Sequence, residues 1–145
     1  MLALAAVMLV PAGSPAGAET RANISYAHNA VTATDAVRAN HAMVTFAFSD
    51  CLARFAWTQA HRMARQHRIF HQDLGAPMRT CHLTYAGENI ASGFATGSKV
   101  VYDGWMKSPL HRANILSVHY RRMAIGAVRS DDGRWYVSQV FGRHA

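Results

Sequence analysis

His67 and His71 stand four apart, the spacing that places two imidazoles on one helix face, as in the HExxH zinc hydrolases. The residues between them are Arg68, Ile69 and Phe70, so arginine occupies the position where that chemistry requires a general-base glutamate. A metallopeptidase of that kind is unsupported, and His67 reads as a core or interface residue. Cys51 and Cys81 are the only cysteines. A pair so far apart excludes a CxxC redox site, and two are too few for a Cys-rich zinc site. In an oxidising compartment they read as one disulfide, closing a loop of about 30 residues and worth about 3–4 kcal/mol on the chain-entropy model. In a reducing compartment they read as two buried thiols. Gly93 to Lys99 lacks the GxxxxGK[ST] spacing and has Val100 in place of the Mg²⁺-binding hydroxyl, so it is no phosphate loop. No GxSxG elbow is present, and neither cysteine has papain-type flanks.

The elements that must position such residues begin with a polar, aperiodic stretch over 19–31. Thr34 or Asp35 then caps a short helix to about Asn40, and His41 to Phe48 is an extended connection. Ser49-Asp50 starts the long amphipathic helix, Cys51 to about Phe70. Its apolar stripe is Leu52, Phe55, Ala56, Ala60, Met63 and Ala64, and Arg54, Arg62, Arg65 and Arg68 lie largely outside it. A loop around Gly75 and Pro77 leads to Cys81 and a short strand, Leu83 to Ala86. Ser98 caps a second helix to about Lys107 with Val100, Val101 and Trp105 inward, and Ser108-Pro109 starts a third, to Leu116. Alternation at Met123, Ile125 and Ala127, a turn at Asp131-Asp132-Gly133, and alternation at Trp135, Val137, Gln139 and Phe141 predict a β-hairpin. Helices first and a hairpin last imply an α+β fold.

The 145 residues are 50% hydrophobic and 16% charged, a globular composition sized for one domain. The net charge is +7, with 13 Arg among 15 basic residues, which permits an anionic partner without specifying one. No nucleic-acid fold motif accompanies the arginines, so specific nucleic-acid binding is not expected. Residues 1–18 are uncharged and open with an apolar run, Met1 to Val10. That run is too short for a bilayer span of about 20 residues. With Ala16 and Ala18 before Glu19 it reads as a secretory signal peptide lacking the usual basic start. The expected organisation is therefore a leader over 1–18, a lead-in over 19–32 and one domain over 33–145, secreted and monomeric, with no transmembrane segment.

Five blocks together resemble a known family. They are Phe70-His71, Gly87-Glu88-Asn89-Ile90, the run Trp105 to Leu116 (WMKSPLHRANIL), Tyr120 with Ile125-Gly126, and Val137 to Gly142 (VSQVFG). In this order and spacing, over about residues 33 to 142, they resemble the bacterial branch of the CAP superfamily, which unites cysteine-rich secretory proteins, antigen 5 and pathogenesis-related proteins. The resemblance implies a three-layer α-β-α sandwich with a small antiparallel sheet and a cleft. It also implies a His and Glu cluster in that cleft, which maps here onto His71, Glu88 and His111. The second glutamate of animal and plant members falls at Ser108, and Leu110 stands where a small residue usually precedes the histidine.

Two imidazoles and a carboxylate from separate segments could hold a divalent metal such as zinc, with His71 and His111 as ligands, or could share protons as an acid/base group. Glu88 also reads as a structural carboxylate that accepts backbone N–H bonds and holds its loop. Asn114 and Gln139 belong to the motif core and are expected to fix the loop that carries His111. The functional expectation is an extracellular binding module rather than an enzyme, for a lipid or sterol-like ligand, a cell-wall ligand or a metal. The alternative is a hydrolase of peptides or cell-wall polymers that uses the same cleft.

Overall fold

The computed structural model describes residues 15–144. The leader expected over 1–18 lies outside the described residues except for its last four positions. Those begin helix α1, Pro15–Asn40. The aperiodic stretch over 19–31 and the helix start at Thr34 or Asp35 are therefore corrected: the segment is one helix, and the Thr34 hydroxyl donates to the Ala30 carbonyl at 2.9 Å within it. Its buried positions are Asn23, Tyr26, Ala27, Ala30, Ala33, Thr34, Val37 and Arg38, three or four apart throughout. These residues are mostly small or polar, so a helical period exists without a hydrophobic one.

Strand β1 is Ala47–Phe48, and helix α2 is Asp50–Arg65. Ser49 caps α2 as expected, its hydroxyl accepting from the Leu52 N–H. The inner stripe is Leu52, Ala56, Gln59, Ala60, Met63 and Ala64, with Phe55 only half-buried. The helix stops short of Phe70 because His67 takes a left-handed conformation, φ +48°. Its N–H closes back on the Ala64 carbonyl at 3.3 Å. His67 and His71 consequently do not share a helix face.

Gly75–Thr80 is a short helix, α3, rather than a loop. Strand β2 runs over Leu83–Ser92, well beyond Ala86, because it pairs with the last strand along Gly87-Glu88-Asn89-Ile90. The second helix is capped by Thr96, not Ser98, and changes pitch along its length. It begins as α4, Gly97–Lys99, widens to a π turn over Val100–Gly104 and tightens to a 3-10 turn over Trp105–Lys107. Val100, Val101 and Trp105 point inward as expected. Helix α5 is Pro109–Ile115, and the hairpin is β3, Arg122–Arg129, with β4, Trp135–His144.

The sheet order is β1-β3-β4-β2, antiparallel except for the short parallel pair β1 and β3. Strand alternation divides the core. Ile125, Ala127, Val137 and Phe141 face α1, Val100 and Trp105, whereas Ala124, Val128 and Val140 face α2. The result is the expected α+β, three-layer α-β-α arrangement. Helix α2 lies directly on the sheet at Gly126, where an added Cβ would come 2.5 Å from the Ala56 backbone. A Cys51–Cys81 disulfide ties the start of α2 to the end of α3. Among the described residues no helix is long and apolar enough to cross a membrane.

Candidate functional site

His71 follows α2 on an irregular segment that Gln59 anchors from inside the helix by donating to the Phe70 carbonyl. The Phe70 ring packs against the α2 side of the core, and the guanidiniums of Arg62 and Arg68 lie 5.3 and 5.0 Å from its centroid. This presents His71 to Glu88 on β2: the imidazole Nδ1–H donates to Glu88 Oε2 at 2.9 Å. The carboxylate can only accept, which sets the proton on Nδ1. The Gln72 backbone N–H donates to the same oxygen at 3.2 Å. The Gln72 side chain and the Ser138 hydroxyl each donate to Oε1 at 2.9 Å. Four donors therefore hold a carboxylate that has no solvent exposure, while the His71 side chain is 60% exposed.

His111 sits in the first turn of α5, half-buried, with Nδ1 hydrogen-bonded to Ser108 Oγ at 2.8 Å. Serine at the position of the missing second glutamate thus orients this imidazole. Burial, and secondarily the neighbouring His71, lower the His111 pKa below the ordinary 6.5. Leu110 stands exposed beside it.

Asn89 points to the sheet face opposite Glu88 and holds α5 in place, its Nδ2 donating to the His111 carbonyl at 3.1 Å and to Gln139 Oε1 at 3.0 Å. Gln139 passes the connection to Thr34 Oγ1 on α1 at 3.1 Å. Asn114 Nδ2 donates to Asn89 Oδ1 at 2.9 Å. Gln139 thus reaches the His111 segment through Asn89, and Asn114, in the same helix as His111, ties that helix to β2. The outer edge of β2 is closed by side chains: Tyr120 Oη donates to the Ala86 carbonyl at 3.3 Å, Asn114 Nδ2 to Glu88 at 3.3 Å and Trp105 Nε1 to Ile90 at 3.2 Å. Each occupies an acceptor that an edge strand would otherwise leave unpaired. Gly87 makes room for the tyrosine, whose hydroxyl an added Cβ would strike.

A model of the family described as "CAP: Cysteine-rich secretory protein family" matches residues 31–141. The chain belongs to the CAP family. The uncharacterized protein YkwD of Bacillus subtilis is 30% identical over 126 residues, covering 82% of this CAP chain and 48% of YkwD. The chain thus spans about half the length of that curated relative. The fold is similar to that of an extracellular SCP-domain protein from Bacillus anthracis, with TM-score 0.76, 20% identity and coverage of 92% of this chain and 45% of the other. It is also similar to an outer surface protein of Borrelia burgdorferi, with TM-score 0.71, 17% identity and coverage of 79% and 90%.

Within this CAP domain, His71 and Glu88 meet directly, and His111 lies close enough for His71 to affect its protonation. His67 does not join them: it is exposed and turned to Asp131 and Asp132, not a core residue. Sequence reasoning missed Gln59, Gln72, Asn89 and Ser138 as site-building residues. Asn89 lay inside a motif block, and Ser138 was legible as the residue that alternates onto the Glu88 face of β4. Gln59 and Gln72 carry no local signal.

Among the described residues the cleft trio does not bring three ligand atoms within 4.8 Å of one another, so only the two imidazoles offer a cation a free donor. Both Nδ1 atoms are committed, and among the described residues neither Nε2 has a hydrogen-bond partner. A ligating histidine characteristically has its other nitrogen fixed in this manner.

Proposed function

We propose that this protein is a secreted CAP-domain binding module that uses the Nε2 atoms of His71 and His111 to hold a divalent cation such as Zn²⁺. The observation that carries this reading is the division of labour around Glu88. Its oxygens are saturated and unexposed, whereas two oriented imidazoles each keep one nitrogen free. A bound cation would supply a Lewis-acidic centre with positions left for water or a ligand group. Glu88 orients His71 and, without exposure, is poorly placed to exchange protons with a substrate, which disfavours the hydrolase alternative. Secretion is supported by the apolar uncharged start of the chain and by the disulfide, which persists in oxidising compartments. A leader over 1–18 and a monomeric state belong to the same reading, whereas the stretch expected as a lead-in over 19–32 packs with the domain, since Tyr26, Ala27 and Ala30 of α1 are buried in its core. A lipid or sterol-like molecule or a cell-wall polymer is the ligand class that the family resemblance adds.

Calorimetric titration of Zn²⁺ into the disulfide-bonded protein and into His71→Ala/His111→Ala tests it. Binding in the wild type with one equivalent lost in the double variant is expected. A folded wild type whose Zn²⁺ isotherm is unchanged by the double substitution removes the metal reading, and lipid vesicles and wall polymers become the probes.

A further inference from the structure

Three large apolar side chains near strand β1 stand in solvent: Val44 is 81% exposed, Phe48 64% and Val118 60%. Strand β1 is one edge of the sheet, paired with β3 alone, and β2, which carries Glu88, is the other. The three residues come from two segments that lie side by side. Arg38 donates to the carbonyls of both Val44 and Ser117, and the Ala47 N–H donates to the Arg121 carbonyl at 2.9 Å. Phe46, between Val44 and Phe48, is buried beneath the Arg38 guanidinium and against Phe141, so the exposed pair flanks a fixed anchor.

The rim of this patch is basic. Arg121 donates to the carbonyls of Val118 and Tyr120, and Arg122 to that of Phe48 at 3.5 Å, which fixes both guanidiniums beside the apolar side chains. Among the described residues neither is ion-paired with an acid. Burial, and after it the charge of Arg121, lower the Arg38 pKa, so a third cation lies beneath the same surface. The acids closest in the chain to β1 are Asp50, in the first turn of α2, and Asp35, half-buried beside Arg38. Side chains this exposed project from the surface and do not wall a cavity, which suits a soft apolar layer bounded by anionic headgroups. A second copy seated here by twofold symmetry would instead bring basic rim against basic rim.

We propose that Val44, Phe48 and Val118, with Arg121 and Arg122, dock this protein on the surface of an anionic phospholipid bilayer. The apolar side chains enter the boundary between headgroups and acyl chains, and the guanidiniums meet lipid phosphates. The contact uses the sheet edge opposite that of Glu88, so it is independent of the cation reading, and either can fail without the other.

Co-sedimentation of the disulfide-bonded protein with vesicles of equal phosphatidylglycerol and phosphatidylcholine, and with vesicles of phosphatidylcholine alone, tests it. Binding to the anionic vesicles that weakens as salt is raised is expected, with partition to the zwitterionic ones about tenfold weaker or less. Val44→Ser/Phe48→Ser/Val118→Ser should weaken partition about tenfold or more, and Arg121→Gln/Arg122→Gln about tenfold. His71→Ala/His111→Ala should bind as the wild type does. The urea midpoint reports the folding of each variant, and Phe48→Ser alone, with partition about fivefold weaker, serves if the triple change unfolds the chain. The apolar run Met1 to Val10 is common to all variants, so binding carried by it would not respond to them. Vesicles that leave the protein in solution, partition that is indifferent to anionic lipid or unchanged by the serine substitutions, or a wild-type dimer that those substitutions dissociate overturns the proposal.

Discussion

His111 titrates in an environment that disfavours its charge: burial comes first, and the charge of His71 adds to it. A histidine whose pKa is lower in the folded protein binds protons less readily there than in the unfolded chain, so the stability linked to it is complete above the ordinary 6.5 and is lost on acidification below that value. NMR titration of the imidazole resonances should place His111 below 6.5. His71→Ala should raise it without restoring the ordinary value, because burial is the larger cause. An unchanged His111 midpoint in His71→Ala would show that the two rings do not sense each other. Glu88 is the complementary case. Its charge is met by four donors, which allows full burial beside an exposed His71.

Strand β2 is the element on which the site depends. Its inner edge pairs with β4, and its outer edge is covered by Tyr120, Asn114 and Trp105 instead of another strand. Alternation sends Glu88 to the α2 face and Asn89 to the α1 face, so adjacent residues anchor the two histidine segments from opposite sides of one sheet. Asn114→Ala leaves both the Glu88 carbonyl and Asn89 Oδ1 without this donor. A loss of about 1–3 kcal/mol is expected in urea unfolding, with faster hydrogen exchange along β2. Wild-type stability and exchange in that variant would mean that the edge is closed by other groups. The motif blocks containing Gly87, Tyr120 and Asn114 thus describe one feature, a covered sheet edge.

For the whole molecule, the disulfide and the buried Arg38 are two of the long-range ties. Arg38 donates to the carbonyls of Val44, Ile115 and Ser117 and stacks on Phe46, joining the end of α1 to the end of α5. Cys51 and Cys81 are separated by 30 residues. The unfolded chain therefore loses loop entropy worth about 3–4 kcal/mol when they are joined. Cys51→Ala/Cys81→Ala should lower the unfolding free energy by about that amount, read from the urea midpoint at unchanged slope. A midpoint within error of the wild type would show that the constraint lies elsewhere.

Much of the architecture was legible in residue order. Ser49 at a helix start, Ser108-Pro109 at another, and the alternation around Asp131-Asp132-Gly133 are local signals, and local steric and hydrogen-bonding rules suffice for them. The motif blocks likewise marked His71, Glu88 and His111 and the family. Helix α1 was hidden because its inner stripe, apart from Tyr26 and Val37, is alanine, threonine, asparagine and arginine, whose burial depends on what packs against them. The length of β2 was hidden because Glu88 and Asn89 are polar yet buried, and their acceptability rests on Gln72, Ser138, Gln139 and Asn114, brought from distant parts of the chain. The same holds for His67. Its spacing from His71 suggested a shared face, but a left-handed turn separates them and carries His67 to a hairpin 65 residues away. Periodicity reports which face of an element is apolar; which polar groups satisfy one another is a matter of long-range contact, and the candidate site is built from such contacts.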